Sequence, residues 1–492
     1  MGKLRAVGIG LLIFGIGVWA VAQDNSPQGP APAPAFGQSA PVLNPDNPPI
    51  SGIDEPGLKL KVASRSFISP AIQVGETADT DENNRLGTYQ VEPVSHVLGA
   101  LDLQKFWPKS DLILEYLGGG SFETSPKYEV KQLQALGFEG VTRWRTGYLE
   151  VRDSFSYIPD GSFDAETGEG LPGLGIALGG LGSGEAGGGL PGTHVFGTGA
   201  FEAVGNIPRL ANTAIADVVQ AISPRSAVTL VGAYSDAHFM QDCQDANPQN
   251  CCNSPGVLPS EVTCLINSDQ TTIEGGFSHM LSRHDQMAGV AAFQLFRFPY
   301  NTGGEIYNGI FNLRWSHTIS GRMRFIGGAG PQYTDVRYNP GTRSWSLSGR
   351  AILTYQFEHS SMAASWEKYT SQGNGIFAGA DTQQARLAYR RPLGRTFTLS
   401  ADLGYARNQR LGAAILNVNT DNEGTAAIIL RKHLGRTYDL LGAYTFNEVA
   451  FDESGEAICT SGISNSTGCG TLEQRQRITV GFEWHPKATR IE

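Results

Sequence analysis

With 492 residues, 37 Lys and Arg, and 47 Asp and Glu, the chain carries a formal net charge of −10 at pH 7. Phosphate backbones require a basic surface, so nucleic acid is excluded as a partner class. Six cysteines in so long a chain are too few for a disulfide scaffold to stand in for a core.

The first element is a leader. Lys3 and Arg5 precede a charge-free run from Ala6 to Ala22 that ends Ala20-Val21-Ala22, which reads as a signal peptide over residues 1–22. An uncleaved anchor is the alternative, since about 17 apolar residues is near the lower limit for a helical span. The small-residue site followed by polar Gln23-Asp24-Asn25 favours cleavage. Removing Lys3 and Arg5 from the 37 basic residues leaves 35 against 47 acids, a net −12. No later charge-free apolar run approaches the length of a spanning helix, so a membrane location requires strands.

Residues 23–57 are rich in Pro, Ala, Asn, Gln and Gly, as in Pro30-Ala31-Pro32-Ala33-Pro34, and predict a disordered periplasmic arm. Residues 58–110 are less definite: Leu58, Leu60 and Val62 alternate with lysines, which suits a strand or a small periplasmic plug. From 111 to 484 a period of two takes over. Phe397, Leu399, Ala401, Leu403 and Tyr405 form one face, against Thr396, Thr398, Ser400, Asp402 and Gly404 on the other. Trp345, Leu347, Leu353 and Tyr355 are opposed to Ser344, Ser346, Arg350 and Thr354 in the same way. About sixteen such segments recur, several longer than the roughly 9–11 tilted residues a membrane strand needs. The prediction is an all-β, transmembrane, antiparallel up-and-down β-barrel of about 16 strands over 111–484, with a tail at 485–492.

The joins alternate in length, as barrels with tight periplasmic turns and long external loops require. Short joins fall at Arg145-Thr146, Ser223-Pro224-Arg225, Arg283-His284-Asp285, Ser320-Gly321, Glu358-His359-Ser360, Leu393-Gly394-Arg395 and Leu434-Gly435-Arg436. The repeated Leu-Gly-Arg-Thr at 393–396 and 434–437 is read as turn chemistry rather than as a functional motif. The long joins include 159–209, 240–270 and 451–473. All six cysteines lie in them: Cys243, Cys251, Cys252 and Cys264 in one, Cys459 and Cys469 in another. On an oxidising exterior they are expected to form disulfides. Cys459 with Cys469 is the firmer pairing, since four cysteines allow three connectivities. Their spacings match none of the C-x-x-C pairs that hold zinc, so no metal site is expected from them.

A soluble β-sandwich would also alternate. Against it, Trp315, Trp345, Tyr405, Tyr444 and Trp484 are placed toward strand ends, where an interfacial girdle would lie. The segment Arg477-Ile478-Thr479-Val480-Gly481-Phe482-Glu483-Trp484 resembles the aromatic-rich last strand of the bacterial outer-membrane β-barrel family, porin-like members with an N-terminal periplasmic extension in particular. The chain departs from that pattern by continuing from His485 to Glu492. The resemblance implies insertion into outer-membrane lipid of a Gram-negative-type bacterium by the barrel-assembly machinery, with the arm in the periplasm, and assembly as a homotrimer.

In such a barrel the polar face is the lumen. Arg314, Arg324, Arg350, Arg386, Arg390, Arg431 and Arg477 are its candidate lining cations, with Glu115, Asp402, Asp439 and Glu483 among the acids sharing it. The expected function is passage of small polar or anionic solutes. One alternative is a plugged barrel whose disulfide-tied loops bind a ligand or surface; another is an outlet for a secreted polymer. The bland counterpart is a lumen closed by salt bridges among these same residues. No cofactor and no enzymatic activity are expected. The Gly-rich 161–205 lacks the Lys-Ser or Lys-Thr of a phosphate loop. Of nine histidines, only His238, two residues from Asp236 on the same strand face, lies near the outer rim, and no nucleophile accompanies the pair. His279, His284, His317, His359, His433 and His485 read as polar residues at periplasmic ends.

Overall fold

The computed structural model describes residues 66–80, 91–123, 129–158, 209–240, 266–299, 304–337, 341–371, 373, 377–412, 419–451, 472–487 and 489–490. The leader, the Pro-rich arm, the long join 159–208 and all six cysteines lie outside the described residues.

The described chain is built of antiparallel strands. The first nine are β1 (Phe67–Asp79), β2 (Glu92–Phe106), β3 (Ser110–Glu123), β4 (Glu129–Trp144), β5 (Gly147–Ile158), β6 (Arg209–Ser223), β7 (Ser226–Phe239), β8 (Ser268–Met280) and β9 (Asp285–Arg297). The next nine are β10 (Glu305–Ser320), β11 (Met323–Arg337), β12 (Thr342–Gln356), β13 (Ser361–Ser371), β14 (Ala380–Leu393), β15 (Phe397–Arg410), β16 (Thr420–His433), β17 (Tyr438–Phe451) and β18 (Leu472–Trp484). A two-residue strand, β19 (Thr489–Arg490), follows.

Each strand pairs with its sequence neighbours, and β18 returns to β1 with Ile72 opposite Trp484 through Asp79 opposite Arg477. The sheet is therefore a closed ring with no edge. Closure is what a bilayer demands, because an unpaired backbone N–H or C=O in hydrocarbon costs several kcal/mol. The tail contributes to the seam: Thr489 and Arg490 pair with Ile68 and Phe67.

The sixteen expected strands correspond to β3–β18, so the expected count is corrected upward to eighteen long strands among the described residues. The two additional ones come from 58–110, and the barrel begins at Phe67 rather than at 111. The reason these two were illegible is physical. In β1 the outward face interrupts Ile72 and Val74 with Pro70 and Glu76, while in β2 the inward face holds apolar Val94, Leu98 and Ala100 opposite outward Val97 and Leu101. Neither strand shows the clean split that reveals one buried face.

The exposure pattern is that of a barrel in lipid. Along β10 the exposed residues are Phe311, Leu313 and Trp315, and the buried ones are Asn308, Asn312, Arg314 and Ser316. A water-soluble sandwich would bury the first set and expose the second. Outward aromatics fall in two bands. Trp107, Trp144, Trp315, Tyr438 and Trp484 lie toward the short-turn end, and Phe122, Tyr234, Phe293, Trp345 and Tyr405 toward the long-loop end. Tyr444 is not a girdle residue as expected, because β17 places it mid-strand.

Candidate functional site: the polar inner wall

The inner wall is built by parity. A strand places alternate side chains on opposite faces, so residues paired across strands share a face. A belt of hydrogen-bonded amides and hydroxyls runs around the wall from β9 to β16. Asn308 Nδ2 donates to Gln294 Oε1 at 2.7 Å, and Thr334 Oγ1 donates to Asn308 Oδ1 at 3.3 Å. Gln332 donates to Thr370. Thr382 Oγ1 donates to Asn408 Oδ1 at 2.8 Å, and Asn408 Nδ2 to Glu423 Oε1 at 3.1 Å. Buried polar groups are retained only when paired in this way.

The predicted wall cations and acids are brought together in pairs. Arg350 Nε lies 3.0 Å from Glu367 Oε1, and Arg386 Nε lies 3.0 and 2.9 Å from the two oxygens of Asp402. Arg431 Nη1 sits 2.9 Å from Asp439 Oδ2 and 3.3 Å from Glu483 Oε2. Arg314 Nη1 reaches Glu274 Oε1 at 3.4 Å across the intervening β9, where Ala288 and Ala292 leave room. Arg324 Nε donates to Ser316 Oγ at 3.2 Å. Arg477 is buried on the inward face of β18. The side chains of Arg390 and Glu115 lie outside the described residues. Each of these pairs links strands that are adjacent or next but one, so the pairs run along the wall and do not bridge the lumen.

Some inner-wall residues were not singled out from sequence. Arg152 joins Glu150 at 3.3 Å and Asp217 at 3.5 Å. Its outward neighbour Val151 and the β5 alternation carried that signal. At the long-loop end the interior turns apolar: Ile266, Phe296, Phe298, Ile306, Val336 and Ala378 form one buried cluster. Ala378 belongs to the join after β13, and its approach depends on Gly379, whose φ is 77° and at which a Cβ would overlap Ile306 Cδ1. The cluster was not legible because it mixes strand residues with a join.

At the other end, three strand ends converge on one carboxylate. His433 Nδ1 lies 2.7 Å from Asp439 Oδ1, and His485 Nε2 lies 3.5 Å from the same oxygen. Contact with Asp439 holds the pKa of His485, which lies just past β18, above the ordinary histidine value. Asp236 and His238, by contrast, alternate with buried Ser235 and Ala237 and so lie on the outer face of β7. That position removes them from the lumen.

An edgeless antiparallel ring with an apolar outside and a polar, ion-paired inside defines a transmembrane β-barrel of the outer-membrane type. No family model matches the chain, and no curated protein matches it. Among solved structures it is similar to OccK5 (OpdH) of Pseudomonas aeruginosa, with 12% identity, a TM-score of 0.39, and coverage of 86% of this chain and 98% of that one. It is also similar to OccAB4 of Acinetobacter baumannii, with 9% identity, a TM-score of 0.41, and coverage of 86% and 99%. The outer membrane protein opdK of Pseudomonas aeruginosa shows 10% identity and a TM-score of 0.38, with coverage of 85% and 99%.

Proposed function

We propose that this protein is a channel of the Gram-negative outer membrane that passes small polar solutes and favours anionic ones. The observation that carries the reading is the direction of the inner-wall ion pairs. Salt bridges that ran across the lumen would close it. These run between neighbouring strands, and a ring of eighteen strands has a circumference wide enough for an aqueous channel.

The anion preference is argued from Arg314, Arg350 and Arg386. Arg314 and Arg350 both pair in register with Gly328, so two guanidinium-bearing positions flank one that has no side chain. A Cβ at Gly328 would stand 2.7 Å from Arg314 Cγ, so glycine is what lets that arginine lie along the wall. A guanidinium carries five N–H donors, more than one carboxylate accepts, and suits planar anionic groups in a low-dielectric wall.

Reversal potentials in planar bilayers under a salt gradient test this. The wild-type chain is expected to favour the anion, and R350Q/R386Q is expected to shift the preference toward the cation, because Glu367 and Asp402 then lose their counter-charges. An unchanged reversal potential in a conducting variant would overturn the selectivity.

A further inference from the structure

We propose that His433, Asp439, Glu483 and His485 form a binding site for a divalent transition cation of the zinc type at the short-turn mouth of the barrel. The inference is independent of solute passage. It starts from register: His433 is paired with Asp439, and Asp439 with Glu483, so the last residue of β16 and residues near the ends of β17 and β18 lie on one row. His485 follows two residues after Glu483 and is buried with it. Two imidazoles and two carboxylates are thereby gathered from parts of the chain that sequence spacing does not relate.

The geometry suits a small tetrahedral ion. Bonds of about 2.0–2.2 Å from zinc to nitrogen or oxygen place neighbouring donors roughly 3.3–3.5 Å apart. His485 Nε2 is already 3.5 Å from Asp439 Oδ1, and His433 Nδ1, at 2.7 Å from that oxygen, would move outward by roughly 0.6–0.8 Å. Donor atoms of Asp439, Glu483 and His485 all lie within 4.8 Å of one another, and His433, outside that trio, joins it through its contact with Asp439.

A second observation points to a missing partner. Glu483 is fully buried, yet neither of its oxygens accepts a hydrogen bond among the described residues. Glu483 has one ion-pair contact, from Oε2 to Arg431, which also takes Asp439 Oδ2. Arg431 therefore takes Asp439 Oδ2 and Glu483 Oε2, while both histidines meet Asp439 Oδ1 and Glu483 Oε1 has no ion-pair contact among the described residues. One guanidinium against two carboxylates leaves a net charge of −1 for an entering cation. Mixed imidazole and carboxylate donors favour zinc and its neighbours over calcium or magnesium, which take oxygen alone. Bound there, the ion would brace β16, β17 and β18 beside the closing seam with β1.

The test uses the full mature chain folded in detergent, stripped with a chelator, and titrated with Zn²⁺ by calorimetry and with Co²⁺ by visible absorption. The expected result is one equivalent bound per barrel at micromolar concentration or below, with the intense Co²⁺ spectrum of four-coordination. H433Q and H485Q are each expected to weaken binding by at least about tenfold, whereas H359Q, on another short turn, leaves it unchanged. Heat-modifiable electrophoretic mobility identifies variants that still form the barrel, and H485Q, at the edge of the fold, is the variant that must pass. No saturable binding to the folded wild type would overturn the site. So would undiminished binding in a folded H433Q/H485Q variant.

Discussion

Single residues decide how closely the wall packs. Gly379 combines a left-handed backbone with contact against Ile306, so alanine there meets both a conformational penalty and a clash. G379A is expected to destabilise the folded barrel by about 1–3 kcal/mol in urea unfolding monitored by tryptophan fluorescence. G424A is the control, since a Cβ at that position meets nothing within 4 Å, and it should change stability little. Equal effects from the two would show that contact with Ile306 is not what fixes glycine there. The individual wall arginines were legible in sequence because each stands on the polar side of an alternating strand. Their partners were not, since Arg314 meets Glu274 across β9, over Ala288 and Ala292, and no sequence spacing encodes that reach.

At the scale of elements, alternation revealed the strands that have one greasy and one polar face. It worked for β15, where Leu403 and Tyr405 are exposed and Ala406 and Asn408 are buried. It was weak for β9, whose inward face carries Ala288, Val290 and Phe296 opposite outward Phe293, because the interior there packs apolar groups against Ile326 and Ile352. It failed for β1 and β2, where Glu76 interrupts the lipid face and Val94 and Leu98 occupy the interior. The joins were a second and independent signal. The turns at 145–146, 224–225, 321–322 and 394–396 all fall at one end of the ring, the end that also carries His485 and the start of β1. In a chain whose native cysteines are replaced by serine, a single cysteine introduced at Gly321 is therefore expected to resist a membrane-impermeant thiol reagent on intact cells, and one introduced between residues 175 and 190 to react. Labelling of Gly321 from outside would reverse the orientation assigned to the barrel.

For the whole molecule, the governing fact is inversion: among the described residues most large apolar side chains face outward, the interior cluster around Phe296 and Ile306 apart, and the ion pairs face inward. That arrangement is unstable in water and favourable in a bilayer, where Ile, Leu, Phe and Trp on the outside meet lipid and its interfaces. The class of fold was legible because inversion and alternation are both sequence properties. The site at the short-turn mouth was not, because His433 and His485 become neighbours only when β16, β17 and β18 are laid side by side.

The central claim is that the polar interior conducts. Reconstituted into a planar lipid bilayer, the chain from Gln23 onward is expected to give stepwise ionic current, each step the opening of one barrel, and a chain from Leu58 onward to do the same. If both chains insert as folded, heat-modifiable barrels and both remain silent, the lumen is closed and the channel reading is contradicted.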